Sequence, residues 1–209
     1  MNQVMGADKT ASSVSAVATL ERREAVKALL TERKDLLVVT GLGSSTYDVF
    51  AAGEHDGNFY LWGAMGGAAM IGLGLAQAQP KCPVVVITGD GEQLMGLGSL
   101  FTIGVRQPRN LTIAVLDNGH FGETGMQMSH SGLGARFETV AQGAGFASIA
   151  EIGDLDGIRA YRDRLQSVSD GPRFVRIRIA PGSPPRALPP RDGVFVKSRF
   201  RQHLGFAVT

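Results

Sequence analysis

Short apolar runs alternate along the chain with longer amphipathic stretches. Leu36–Thr40, Val84–Thr88 and Leu111–Leu116 are continuous apolar and β-branched runs bounded by glycine or polar turns. They are too short for helices and lack the strict alternation of a half-solvated strand. This pattern predicts strands buried on both faces of a parallel sheet. Phe174–Ile179 is expected as a last strand. Helical periodicity fills the intervals. Glu21 to Lys34 sets Ala25, Val26, Leu29 and Leu30 on one face, and helices are also expected over Met65–Gln79, Ser99–Arg106 and Phe137–Gly143. Asp154 is positioned to cap a further helix running to about Val168. Strand–helix alternation predicts a three-layer α/β/α domain around a mainly parallel central sheet.

The flanks differ from this rhythm. Residues 1–20 are small and polar and are expected to form a mobile tail, leaving 21–180 as the folded domain. Beyond that, Pro181, Pro184, Pro185, Pro189 and Pro190 forbid regular structure. Residues 181–209 therefore read as a Pro-rich arm lying over a neighbour, with Val194 to Leu204 docking as a short helix.

Bulk properties narrow the picture. A chain of 209 residues suits one α/β domain. With 28 glycines and only 19 % charged residues, closely packed helices or broad contacts with partners are expected. A formal net charge of +2, without a basic run, argues against nucleic acid as a partner. Arg173, Arg176 and Arg178 read as the solvated face of a strand. One cysteine excludes an internal disulfide and a cysteine-ligated cluster. Cys82, ahead of Pro83, reads as a buried structural thiol in a cytoplasmic protein. The start lacks the basic-then-apolar order of a secretory leader, and no apolar stretch is long enough for a membrane span.

Candidate chemistry sits where the strands end. Gly41-Leu42-Gly43-Ser44-Ser45, Gly89-Asp90-Gly91-Glu92 and Asp117-Asn118-Gly119-His120 each follow a strand. Ligands on such sheets bind outside the carboxyl ends of the strands, so these turns can meet at one ligand. Glycine lets backbone amides approach an anion, and a carboxylate is a hard oxygen ligand suited to Mg²⁺. Gly-Asp-Gly alone also makes ordinary turns. The helix and strand between Gly91 and Asn118 return the chain to the same edge of the sheet, where Asp90 and Asn118 can face each other.

Taken together, these segments resemble the thiamine-diphosphate-dependent decarboxylases. Gly89-Asp90-Gly91 followed by Leu116-Asp117-Asn118 looks like their cofactor fingerprint. Trp62-Gly63-Ala64-Met65-Gly66-Gly67 is similar to the segment that grips the aminopyrimidine ring. Asn118 to Gly125 is similar to the Asn-Gly-x-Tyr-Gly-x-Thr-Gly stretch of the sulfopyruvate and phosphonopyruvate enzymes, and Thr40 to Ser44 to their first turn. The resemblance covers about residues 25–180 and implies a 2-oxo acid decarboxylase, a carbon–carbon lyase.

The resemblance also implies roles. Asp90 and Asn118 would ligate Mg²⁺ by side chain and His120 by its backbone carbonyl. Amides around Gly91 and Glu92 would hold the diphosphate, with Gly41, Ser44, Gly89, Phe121 and Gly122 around the cofactor. The Gly63 carbonyl would accept a hydrogen bond from the cofactor's 4′-amino group, Ala64 would also contact the cofactor, and Met65 would wedge beneath it and force its bent shape. Plain core packing remains open for Met65, and helix capping for Ser44 and Ser45. No catalytic acid or base is assigned on this chain beyond the candidates His120 and Glu123; His55 and His130 also lie in loop-like segments. Asp117, where many relatives carry asparagine, and the His120-Phe121 pair depart from the family pattern. The activating glutamate is expected on a separate pyrimidine-binding α-type subunit, giving a hetero-oligomer such as α₂β₂ or larger, with the Gly-rich helix and the arm as contact surfaces. Other open readings are an acetolactate-synthase-like carboligase subunit and a non-catalytic binding partner. A nucleotide-binding Rossmann turn is disfavoured because Thr46 stands where its third glycine belongs.

Overall fold

The structure, a computed structural model, describes residues 18–207. The expected mobile tail therefore lies almost entirely outside the described residues. Its last residue, Leu20, is buried in the core, and its carbonyl accepts the Ala180 N–H at 2.8 Å.

Six strands form one parallel sheet: β1 (Leu37–Thr40), β2 (Asn58–Tyr60), β3 (Val84–Gly89), β4 (Leu111–Asp117), β7 (Ser148–Ile152) and β8 (Arg173–Arg178). Their order is β2-β1-β3-β4-β8-β7. A separate two-stranded hairpin joins β5 (His120–Phe121) to β6 (Gln127–Met128). The three apolar runs are the three adjacent strands β1, β3 and β4, and every residue of β1 and β4 is buried. Both faces of a parallel sheet are covered by crossover helices, which is why these strands read as unbroken apolar runs.

Successive side chains in a strand point to opposite faces. Val38, Val85, Ile87 and Val175 enter one core with α1 (Arg22–Leu30), α2 (Ser44–Ala52) and α7 (Leu155–Leu165). Val39, Val84, Val86 and Ile113 enter the other, beneath α3 (Ala68–Ala78), α5 (Gly98–Arg106), α6 (Phe137–Gly143) and α8 (Gly193–His203). The layered α/β/α architecture is thus as expected from the sequence. Asp154 caps α7 as expected, accepting the Gly157 N–H at 2.7 Å.

Several expectations are corrected. The Gly-rich helix begins at Ala68 rather than Met65, because Ala64 and Gly66 hold left-handed backbone ahead of it. Its glycines have an internal reason: a Cβ on Gly72 would lie 2.2 Å from Val86 Cγ2, so α3 packs directly on the sheet. Cys82 is only half buried. The arginines of β8 do not form a solvated face. Arg173 is buried and donates to the carbonyls of Arg164 and Ser167, and Arg176 is paired with Asp117 and Glu138.

The arm packs against its own chain. Trp62 donates to the Pro190 carbonyl at 2.8 Å, and Arg186 pairs with Glu123 at 3.1 Å. Asp192 caps α8, whose Phe200 meets Phe59 of β2 edge-to-face at 5.7 Å. Arg199 donates to the Asn58 carbonyl at 3.0 Å, so the helix covers the edge strand.

Candidate functional site

The turns after β1, β3 and β4 meet because those strands are neighbours. With Met65 and the start of the β5–β6 hairpin they line an open cleft of about 110 Å³. The first turn leads into α2 with Gly43 at φ +79°, and the helix has no side-chain cap. The Thr46 and Tyr47 N–H groups donate to the Gly43 carbonyl at 3.0 and 3.3 Å, which leaves those of Ser44 and Ser45 for other partners. Ser44 does not cap this helix, as one reading had it; its hydroxyl donates to Glu123 Oε1 at 2.6 Å, and Ser45 is buried.

The second turn opens α4 (Asp90–Met95) and brings Asp90 and Glu92 inside. Gly89 pairs with Leu116, so the residues that follow, Asp90 and Asp117, leave adjacent strands side by side. Asp117 is neutralised: its Oδ2 accepts from Arg176 Nε at 2.6 Å. Asp90 is 4 % exposed, and no ion pair reaches it among the described residues. Its Oδ2 accepts from the hydroxyls of Ser129 and, at 3.0 Å, Ser131. Burial pushes the Asp90 carboxyl above its ordinary value, and the neighbouring Asp117 adds to that push against the two hydroxyls.

Glu92 was expected to contribute its amide; its carboxylate also has a task. Oε2 accepts from Thr88 Oγ1 at 2.9 Å and Oε1 from the Gly66 N–H at 3.3 Å. Burial raises its pKa too, opposed by these bonds and by the Leu42 amide. The carboxylate fills the space that a side chain at Gly41 would need, since a Cβ there would sit 1.7 Å from Oε2. Gly41 thus serves packing and does not line the cleft.

In the third turn Gly119 has φ +69°. Asn118 Oδ1 accepts the His120 N–H at 2.9 Å, and the His120 carbonyl accepts the Gly122 N–H at 3.1 Å. The His120 Nδ1 lies 2.7 Å from the Asn118 carbonyl; since a carbonyl only accepts, Nδ1 carries a proton. Phe121 covers Gly91, where a Cβ would lie 2.8 Å from its ring. His130 meets the Phe121 ring edge-to-face at 6.1 Å, whereas His55 lies away from the cleft beside His203.

Of the expected site residues, Ser44, Met65, Gly89, Asp90, Gly91, Glu92, Asn118, His120, Phe121, Gly122 and Glu123 line the cleft together. Gly63 and Ala64 stand exposed outside it. Met65 is 42 % exposed, which rules out the plain core-packing reading for it. Ala64, at φ 52°, holds it on a strained turn closed by the Gly67 N–H on the Ala64 carbonyl at 2.7 Å. Sequence reasoning missed Ser129, Ser131 and Arg176. Small hydroxyls in a loop carry no signature, and the arginine was read from its strand alone.

The donor set fits a hard divalent cation. Asp90 offers a buried carboxylate with no basic partner among the described residues, Asn118 an amide oxygen and His120 a carbonyl, each of the latter two with a second lone pair. No group of three or more His, Cys, Asp or Glu residues able to hold a metal occurs among the described residues. Such a cation would need further oxygens from a ligand, as Mg²⁺ sites with phosphates do.

The family model described as "Thiamine pyrophosphate enzyme, C-terminal TPP binding domain" matches residues 43–173. The chain is 39 % identical over 178 residues to a phosphonopyruvate decarboxylase of Streptomyces viridochromogenes, covering 84 % of this chain and 42 % of that protein. It is 37 % identical over 167 residues to the sulfopyruvate decarboxylase subunit beta of Methanothermobacter thermautotrophicus, covering 78 % of this chain and 84 % of that subunit. The chain thus spans less than half the length of the first relative and most of the second. A solved thiamine diphosphate-dependent 4-hydroxybenzoylformate decarboxylase of Rhodococcus jostii RHA1 shares the fold, with a TM-score of 0.63 at 22 % identity, over 84 % of this chain and 35 % of that one. The sheet order, the turns that meet at its carboxyl end and the matched segment together place this chain in the family of thiamine pyrophosphate enzyme C-terminal, TPP-binding domains.

Proposed function

We propose that the chain is the diphosphate- and Mg²⁺-binding subunit of a thiamine-diphosphate-dependent 2-oxo acid decarboxylase of the sulfopyruvate/phosphonopyruvate kind. The observation that carries this is Asp90: a buried carboxylate, at the mouth of three converging turns, with no basic partner among the described residues. Taking an ionised carboxylate out of water is costly unless a cation meets it. A relative named as a beta subunit, matched over 84 % of its length, supports a two-subunit arrangement.

On this reading, Asp90, Asn118 and the His120 carbonyl hold the cation, and amides around Gly91 and at the uncapped start of α2 bind the diphosphate. The cofactor, when bound, supplies the electron sink for releasing CO₂ from a 2-oxo acid. Met65, exposed on its strained turn, shapes the floor on which the cofactor rests. Gly63 and Ala64 face outward, where a pyrimidine-binding subunit carrying the activating glutamate would sit. Phe121 screens the diphosphate end from water, which strengthens the charge interactions there. Glu123, tied to Ser44 and Arg186 at the cleft, is a candidate to face the substrate. Residues 21–180 act as the cofactor domain and 181–209 as its arm, in a cytoplasmic α₂β₂ or larger assembly. Among the described residues no helix is long and apolar enough to cross a membrane.

The test is cofactor retention by the chain with its partner. Asp90→Ala is expected to abolish it, and unchanged affinity would sink the proposal. Product analysis with a sulfonated or phosphonated 2-oxo acid then reads the reaction: free aldehyde and CO₂ support decarboxylation, and a carboligation product would favour a synthase.

A further inference from the structure

Asp90 is not held by the residues of its own motif. Ser129 and Ser131 come from the loop after β6 and are both buried. The loop is pressed onto the third turn: the Ser129 N–H donates to the Gly119 carbonyl at 2.8 Å, and a Cβ on Gly132 would lie 2.4 Å from that same oxygen. Both hydroxyls converge on Asp90 Oδ2. Ser131 also reaches Asp117 Oδ1 at 2.7 Å and Ser129 Oγ at 2.9 Å.

Proton counting makes this arrangement specific. Each hydroxyl has one proton to donate. Two protons cannot satisfy four close oxygen contacts among two hydroxyls and two carboxylates. Asp117 already receives Arg176 and the Gly119 N–H, the latter at 2.9 Å. Asp90 is therefore the carboxylate left without a balancing positive charge among the described residues, and a cation there would supply it.

We propose that Ser129 and Ser131 are positioning residues for the metal-binding carboxylate: they fix Oδ2 of Asp90 and leave its other oxygen for a divalent cation. Ser131 ties that carboxylate to the Asp117–Arg176–Glu138 network, so the site is preorganised by a loop outside the fingerprint segments. This rests on the cofactor reading above. Outer-shell partners of this kind change metal affinity by roughly 10–100-fold when removed.

The experiment is a titration of Mn²⁺ in the presence of thiamine diphosphate, followed by electron paramagnetic resonance of free Mn²⁺. It uses the chain with any partner that copurifies from its own cells. Ser129→Ala and Ser131→Ala are expected to weaken Mn²⁺ binding about 10–100-fold, with ordinary thermal unfolding of the metal-free protein. Ser131→Thr, which keeps the hydroxyl, should restore most of the affinity, and the ratio of Mn²⁺ to Ca²⁺ affinity should fall in the alanine variants. If an alanine variant fails to fold, Ser129→Cys and Ser131→Cys, which keep the volume but donate weakly, test the same placement. Alanine variants within twofold of wild type, with unchanged selectivity, would overturn the inference while leaving the cofactor reading intact. No Mn²⁺ retention by the wild type would sink both.

Discussion

Asp48 and Asp90 are buried to the same degree, 1 % and 4 % exposed, and burial pushes both carboxyls above their ordinary value. Their surroundings differ. Asp48 sits between Arg22, whose Nε is 2.6 Å away, and Arg23, whose Nε is 3.7 Å away. Asp90 meets two hydroxyls and another carboxylate. The first is a closed ion pair that locks α1 onto α2. The second is a negative charge completed by nothing in the described chain, and it opens onto a cleft. A buried acid with its cation inside the fold serves stability, whereas one whose cation must come from outside marks a binding site.

The contrast predicts effects of opposite sign. Asp48→Ala strands Arg22 in the interior and is expected to cost about 3–5 kcal/mol of stability, measured by denaturant unfolding; a loss under about 1 kcal/mol would erase the distinction. Asp90→Asn should leave the metal-free protein as stable as wild type or slightly more so, because a buried charge is removed. The same variant should bind thiamine diphosphate with Mg²⁺ at least about 100-fold more weakly, a change near 2.7 kcal/mol, read by calorimetry. Gly41→Ala forces the Glu92 carboxylate aside and should cost about 1–3 kcal/mol by overpacking. Native-like melting of that variant would show that Glu92 can move freely.

The smallest effect is a pH dependence. A carboxyl with a raised folded-state pKa binds its proton more tightly when folded than when unfolded. Its stabilising contribution is present below the unfolded value and is lost as pH rises through the folded one. The metal-free Asp90→Asn variant should therefore gain on wild type as pH rises from about 4 toward neutrality. A constant difference across that range would mean that Asp90 is not electrostatically strained.

The parts legible in the sequence follow from burial. β1, β3 and β4 are covered on both faces, so their apolar runs and terminal glycines stood out, and with them most of the cleft. β2 and β7 lie at the edges of the sheet, and partly buried residues there blurred their pattern. α2 was missed because its inner face is polar: Ser45, Thr46 and Asp48 are buried among hydrogen bonds and ion pairs, which no apolar period reports. Ser129, Ser131 and Arg176 were missed for a related reason. Their importance lies in contacts across the sequence, Arg176 with Asp117 and Ser131 with Asp90, and neither partner is visible from a local motif.

The central claim is that Asp90 and its neighbouring turns hold thiamine diphosphate through a divalent cation in an enzyme completed by another subunit. Native mass spectrometry of the chain purified from its own cells, with Mg²⁺ and thiamine diphosphate present, tests this most directly. The account predicts a complex with a second polypeptide that retains one cofactor and one Mg²⁺ per pair and loses both with Asp90→Ala. A chain that appears alone or only with itself, free of cofactor, would contradict it.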